Sequence, residues 1–360
     1  MQDVIALTLG FLLDQLLGDP PHWPHPVRWI GRLIQQLEPL LRRIFPERLS
    51  GIFLLLVVTA MTGGLTWGVL ELAGLAHPWL RTAVAALLVY QGLAARSLAT
   101  ETRAILVPCA TDDWIEARRR LSGIVGRDTD RLPPQEIYRA CIETIAENTT
   151  DGVVAPLFYA ALAGPVGLWV YKAINTLDSM VGYRNARYVR FGWASARADD
   201  LANFLPARLT FLLLTLAALA IGRSALAALR VGWRDGRKHP SPNAAWSEAT
   251  MAGLLAVQLG GPSTYLGVPS EKPLLGAPQE LLTAVKVQQA IRVMLLTGWL
   301  AFLLFTGCRC LALALQSAAS PAKPPARSSA GLVPYTACTG NPVRCERPPG
   351  QACRCSPSRR

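Results

Sequence analysis

The chain alternates long apolar runs with arginine-rich polar stretches. Residues 52–70, 82–95, 152–171, 209–222 and 293–307 carry no charged side chain. A helix satisfies its own backbone polar groups, so a segment of about 20 apolar residues can cross a bilayer. The pattern predicts an all-α, polytopic integral membrane protein with about five apolar helices and functional polar loops between them. Residues 1–17 form a first helix that is short for a full crossing. Residues 18–26 hold Pro20, Pro21, Pro24 and Pro26, which cannot sit inside a helix and predict a loop leading into an amphipathic stretch. Residues 51–73 and 79–95 predict an antiparallel helical hairpin across His77-Pro78. Residues 96–151 are polar, with one helix carrying Arg118, Arg119 and Arg120 and another starting at Pro133-Pro134.

The run 152–174 is interrupted by Gly164-Pro165 and flanked on both sides by arginines, Arg131 and Arg139 before it, Arg184, Arg187 and Arg190 after it. Arginine favours cytoplasmic loops, and a plain crossing would send one flank outside. A re-entrant or broken helix removes the conflict and stands beside the plain crossing as an alternative, since irregular backbone at depth is tolerated where protein buries it. Residues 207–229 and 286–315 predict the remaining apolar helices, and 230–290 a mixed loop. The chain divides into a membrane domain, 1–316, and a disordered tail, 317–360, whose Pro, Ser, Arg and Cys cannot bury enough surface to offset ordering entropy.

Composition sharpens this picture. The chain is 51% hydrophobic and 17% charged, against about a quarter charged in ordinary soluble proteins. Its net charge of +12 comes mostly from loop arginines. They form no compact basic stripe with interleaved aromatics, so no nucleic-acid partner is expected. The eight cysteines include no CxxC pair, which gives little support to a zinc site or a disulfide framework. The N-terminus lacks a basic region, and Asp14 interrupts its apolar run, so no cleaved signal peptide is expected. No GxxxxGK[ST], GxGxxG or HExxH occurs. His22 and His25 stand beside prolines, where a turn-packing role is at least as good a reading as catalysis.

The chemistry concentrates in three stretches. In ETIAENTTDGVVAP (143–156), Glu143, Glu147 and Asp151 share one helix face with Asn148 beside it. Like charges stacked this way need arginines or a hard divalent cation to offset them. The alternative is a solvated acidic face, but these acids lead straight into membrane-depth sequence, where acids are costly and usually functional. In 171–210, Lys172, Asn175 and Asp178 follow the apolar run. Arg184, Asn185, Arg187 and Arg197 then alternate with aromatics, and Asp199, Asp200 and Asn203 give a second oxygen cluster. Arginine forks suit phosphate and carboxylate, while an Arg-aromatic juxtamembrane anchor is the alternative reading. The third stretch contains Ser241 and Asn243, followed by Trp246, Glu248 and a Gly260-Gly261-Pro262 turn able to present N–H groups to an anion.

These residues carry a resemblance. The segments GDPPHWPHPVRWIGRLI, ETIAENTTDGVVAPLFYAALAGPVGLWVYKAINTLDSMVGYRN, FGWASARADDLANFLPARLT and SPNAAWSEATMAGLLAVQLGG, in this order over most of residues 1–305, resemble the adenosylcobinamide-phosphate synthase family, the CobD/CbiB type of cobalamin biosynthesis. The tail after about residue 306 lies outside the resemblance. It implies a ligase of the cell membrane, with its active site on the cytoplasmic side. The implied reaction is the ATP-dependent joining of (R)-1-amino-2-propanol, or its O-phosphate, to a propionate of adenosylcobyric acid, with Mg²⁺. Other corrinoid-assembly enzymes are candidate partners. For such a reaction Glu143, Glu147, Asp151 and Asp178 are candidate catalytic acids and bases, and Glu147, Asp178, Asp199 and Asp200 candidate metal ligands. Asn148, Lys172, Asn175, Arg184, Asn185, Arg187, Arg197, Ser241 and Asn243 are candidates for binding phosphate or substrate. Tyr183, Trp193 and Trp246 are candidates for an apolar wall against the corrin. A transporter shares the broken helix and the acids at the membrane edge, but the chain lacks paired halves. A non-catalytic scaffold is the third reading.

Overall fold

The computed structural model describes residues 2–20, 23–183, 185–239, 241–265 and 267–319. Arg184 and nearly all of the tail expected at 317–360 lie outside the described residues. The helices are α1 (Gln2–Leu17), α2 (Pro26–Ile44), α3 (Glu47–Ala76), α4 (Pro78–Gly92), α5 (Ala95–Cys109), α6 (Trp114–Leu121), α7 (Pro134–Asn148), α8 (Ala155–Val181), α9 (Trp193–Ala202), α10 (Phe204–Ala220), α11 (Ala225–Asp235), α12 (Ala244–Leu255) and α13 (Ala284–Ala319). A π-helical turn, Thr149–Val154, joins α7 to α8, and β1 (Gln258–Tyr265) pairs antiparallel with β2 (Val268–Gly276).

Local chemistry sets several of the helix starts. Pro26 and Pro78 open α2 and α4, where a missing N–H costs nothing. The histidine before each caps the helix: His25 Nδ1 accepts from Val27 N–H at 3.3 Å and His77 Nδ1 from Trp79 N–H at 3.1 Å. His239 Nδ1 accepts from Ser241 N–H at 3.1 Å in the same way. Burial of apolar faces then assembles the bundle. α1 packs on α4, and α3 packs on α4 and α8, with Phe11 of α1 stacked on Phe302 of α13 at 4.5 Å.

Four helical stretches are long and apolar enough to cross a membrane: Glu47–Ala76, Pro78–Cys109, Pro134–Val181 and Ala284–Ser317. The pair α9 and α10, bent by 45°, makes a fifth if it counts as one span. Leu56, Leu65, Trp67, Leu72 and Leu75 of α3 remain exposed, as a lipid-facing helix requires. The protein is therefore an all-α polytopic membrane protein with one small β-hairpin.

The stretch Pro134–Val181 does not run straight. Ala163 (φ −133°, ψ 21°) and Gly164 (φ 66°, ψ −163°) leave helical geometry, and the second conformation is open in practice only to glycine. Beyond it the chain folds back. Tyr159 and Tyr171 stack at 5.0 Å, whereas twelve residues of straight helix would separate them by about 18 Å. Asn175 reaches Asp151 at 3.3 Å, against about 36 Å along a straight helix. A Cβ on Gly167 would lie 2.9 Å from the Tyr159 carbonyl oxygen, so the two arms touch because that position lacks a side chain. On either side of the break α8 runs about 12 Å and about 25 Å, each short of the roughly 30 Å hydrocarbon core. The backbone adopts the broken alternative, and both polar ends of the segment lie together.

Three expectations are corrected. Residues 207–229 are not one helix: α10 ends at Ala220 and α11 begins at Ala225, with Gly222 at φ +68° between them. Residues 230–290 are not a mixed loop: they contain the end of α11, all of α12 and the β-hairpin. α12 shows no helical periodicity because its residues 245–255 are all buried, which removes the polar face that periodicity detects. The Gly260-Gly261-Pro262 segment is not a turn either. It lies within β1 at a register shift, with Gly260 and Gly261 at φ +81° and +85°.

Candidate active-site cleft

The folded-back α8 brings the acid ladder and the 175–178 stretch to one cleft. Its volume is about 410 Å³, and Glu143, Glu147, Asn148, Asp151, Asn175 and Asp178 line it. A second cavity of about 200 Å³ shares Glu147, Asp151 and Asp178 and adds Asp199, Asn203, Ser241 and Asn243. Nine of the candidate residues therefore surround one continuous polar region.

The three ladder acids have three different environments. Glu143 is buried, paired with Arg127, and accepts Gly260 N–H at 2.8 Å, with Arg139 Nε at 3.8 Å. It anchors the β-hairpin to α7. Glu147, one turn on, is exposed to the cleft and makes no hydrogen bond or ion pair among the described residues. The π-helical turn then redirects Asp151 towards the second arm, where Asn175 Nδ2 bridges Asp151 Oδ2 and Asp199 Oδ1, each at 3.3 Å. Asn203 also holds Asp199, at 3.1 Å to both oxygens, and accepts Tyr171 O–H at 3.0 Å. π-helical turns recur at functional sites because they shift side-chain register. The Asp178 carboxylate, like Glu147, has no partner among the described residues.

Other candidates are placed around this centre or away from it. Asn148 lines the cleft and donates to the Thr144 carbonyl at 3.0 Å. Lys172, half-buried on the second arm, feels the carboxylates of Asp151 and Asp19. Asp200 accepts Ser241 O–H at 3.3 Å and lies 3.6 Å from Arg197, which is largely exposed. Asn243 clamps α9 to α10, donating to the Asp200 carbonyl at 2.7 Å and accepting from Arg208 at 2.6 Å. Asn185 closes a turn by accepting Tyr188 N–H at 3.0 Å. Arg187 pairs with Glu38 at 3.1 Å, in an adjoining cleft with Arg42 and Tyr188 that shares Ser179 and Tyr183 with the first. Of the three aromatics expected to face a corrin, only Tyr183 lines the cleft. Trp246 is buried against Phe211 and Trp193 stacks under Arg48.

Sequence reasoning missed three further lining residues. Arg127, Tyr265 and Lys272 line the same cleft as the acids. They come from the loop before α7 and from the β-hairpin, and no spacing in the chain announces them. Glu248 of α12 is buried, and its Oε2 has no hydrogen-bond partner among the described residues. Burial raises its carboxyl to about 8; Lys272 opposes the rise, and the charges of Glu143 and Glu147 add to it. Burial also works against the charge of Lys272, but Glu248, Glu147, Tyr265 and Glu143 outweigh it and its pKa lies above the ordinary lysine value.

No three His, Cys, Asp or Glu side chains among the described residues are placed to hold a metal by themselves. Mg²⁺ usually keeps several waters and binds through one or two carboxylates plus phosphate oxygens. The uncommitted pair Glu147 and Asp178 fits that mode.

The fold and cleft define a polytopic membrane protein with a polar, acid-rich cleft built on a folded-back apolar helix. The sequence profile of the family described as "CobD/Cbib protein" matches residues 7–294. The chain is 47% identical over 311 residues to "Cobalamin biosynthesis protein CbiB" of Salmonella typhi, covering 85% of this chain and 98% of that protein. It is 48% identical over 310 residues to "Cobalamin biosynthesis protein CobD" of Klebsiella pneumoniae, covering 85% and 97%. No solved structure matches the chain. The chain belongs to the CobD/CbiB family.

Proposed function

We propose that the protein acts in cobalamin biosynthesis as an ATP-dependent ligase of the cell membrane. It would join aminopropanol or its O-phosphate to a propionate carboxylate of adenosylcobyric acid, in a cleft open to the cytoplasm. The observation that carries this reading is the pair of uncommitted carboxylates, Glu147 and Asp178, lining one cleft together with Lys272 and Arg127. A carboxylate does not react with an amine until it is activated. ATP supplies the activation by transferring its terminal phosphoryl group to a propionate oxygen, giving an acyl phosphate and ADP. The amine then attacks the carbonyl carbon, phosphate leaves with the oxygen it was attached to, and the amine's surplus proton passes to a base.

Each requirement has residues that suit it. The incoming ammonium must lose a proton, and Asp178 or Glu147 is the carboxylate we assign to take it. Charge developing on the phosphoryl oxygens is met by the fixed cations lining the same cleft. Mg²⁺, held between the phosphates and Glu147 or Asp178, would neutralise phosphate charge. Asn175 holds Asp151 and Asp199 in place and keeps their repulsion from opening the site.

The test is turnover by the full chain in detergent with adenosylcobyric acid, either amine, ATP and Mg²⁺, followed by mass spectrometry. The expected result is an amide product that requires ATP. Folded protein that binds the corrinoid but yields no amide would sink the reading.

A further inference from the structure

The loop before α7 and the β-hairpin bring Arg127, Lys272 and Tyr265 to one wall of the cleft. Arg127 is buried, and one end of its guanidinium pairs with Glu143. Its other terminal nitrogen, Nη1, is buried and has no hydrogen-bond partner among the described residues. Glu143 cannot turn to serve it, because its second oxygen is taken by Gly260 N–H. Lys272 makes no hydrogen bond or ion pair among the described residues, and Tyr265 O–H likewise makes no hydrogen bond among them. Beside Arg127, Gly126 also lines the cleft, and nothing lies within 4 Å of where its Cβ would stand. The wall thus offers three uncommitted donors and open space in front of the backbone. Buried donors left unpaired are costly, and a ligand oxygen relieves the cost.

We propose that Arg127, Lys272 and Tyr265 form a phosphoryl-binding wall that sets the position of a phosphate-bearing substrate against Glu147 and Asp178. Three donors from separate chain segments suit the several oxygens of a phosphoryl dianion better than a planar carboxylate, which one arginine fork satisfies. No hydrogen bond or ion pair among the described residues ties the Lys272 ammonium to Glu248 or to another acid, so its donors remain free for a ligand in the cleft. The uncommitted acids of the same cleft require the same ligand to bring positive charge. An aminoalkyl phosphate meets both demands, and so does a nucleotide phosphate carrying Mg²⁺. Naming these two sources rests on the proposed ligation; the donor wall does not.

Affinity of the full chain in detergent for three probes tests the proposal: aminopropanol O-phosphate, unphosphorylated aminopropanol, and the nucleotide ADP with Mg²⁺. Lys272→Gln and Tyr265→Phe are the variants, since loss of Arg127 endangers the fold. Lys272→Gln is expected to weaken one phosphate-bearing probe by about tenfold or more, the scale of one charged hydrogen bond. Tyr265→Phe should weaken the same probe by less, and aminopropanol binding should stay unchanged in both. Loss confined to the amine phosphate assigns the wall to that substrate; loss confined to ADP assigns it to the nucleotide. Arg223→Gln, whose guanidinium pairs with Glu280 away from the cleft, should leave all three affinities unchanged. The proposal is overturned if wild type binds neither phosphate-bearing probe, or if Lys272→Gln binds both as wild type does. Phosphate binding without any amide product would sink the ligation and leave the wall standing. Product formation with Lys272→Gln kinetics unchanged would do the reverse.

Discussion

Two polar clusters of this protein read alike in the sequence and differ in the structure. Around Glu38, the charges close on one another: Arg42 at 3.0 Å, Arg187 at 3.1 Å and Tyr188 O–H at 3.3 Å share one carboxylate, and the Arg42 guanidinium lies 3.9 Å from the centre of the Phe191 ring. In the cleft between the arms of α8 and the β-hairpin, Glu147, Asp178 and Lys272 have no such partners among the described residues. The first cluster is a finished structural joint that ties α2 to the segment before α9. The second keeps charge available, which costs stability and makes sense where a ligand completes it. Which cluster does chemistry is decided by pairing, not by residue type.

The comparison breaks most sharply on activity. Glu147→Ala and Asp178→Ala are each expected to lower turnover by about a hundredfold or more, the scale of a lost acid–base or charge-stabilising group, with the protein still folded. Arg187→Ala should change turnover by only a small factor. A mass-spectrometric rate assay that reversed this order would exchange the roles of the two clusters.

Next comes stability. Arg127→Met strands the buried Glu143 carboxylate and should cost about 3–5 kcal/mol, as broken buried pairs do. Arg187→Met, at a largely exposed arginine, should cost about 1 kcal/mol or less. Denaturation of the two variants in the same detergent ranks them. Gly164→Ala forces a side chain into a glycine conformation and should cost about 1–3 kcal/mol. Single-cysteine probes at Asn148 and Ser179, flanking the two arms, should label from the same side of the membrane. Labelling from opposite sides would mean that α8 crosses rather than folds back.

The smallest expected effect is a pH slope. Glu248 keeps its proton up to about pH 8 in the folded chain, whereas the ordinary value is 4.5. Between those values the folded state binds more protons than the unfolded one, so stability falls as pH rises through this window. Thermal melts from pH 5 to 8 should show the decline, and Glu248→Gln should flatten it. An unchanged slope in the variant would assign the effect to another group.

Much of the fold was legible from the chain. Apolar runs long enough for a bilayer follow from composition alone, because backbone in lipid has few alternatives to helix. Helix starts at Pro26, Pro78 and Pro134 follow from proline geometry. The break at Gly164-Pro165 was visible, but whether the helix bent or reversed was not, since the same residues allow either until α4 and α9 pack against the arms. α12 and the β-hairpin went unread. The first is buried on every side and loses its amphipathic signature; in the second, glycines and prolines look like loop.

The site divides in the same way. The sequence by itself determined the class of membrane protein, the family, and most of the acid wall, because those residues lie close together in the chain at helical spacing. Only the tertiary structure decided that Glu143 is a joint rather than a free acid, that Arg187 and Arg197 lie outside the cleft, and that Arg127, Tyr265 and Lys272 complete it. Local spacing fixes which side chains share a helix face. Contacts between residues more than a hundred positions apart, such as Glu143 with Gly260, are fixed by burial and hydrogen-bond satisfaction across the whole bundle, and no local pattern encodes them.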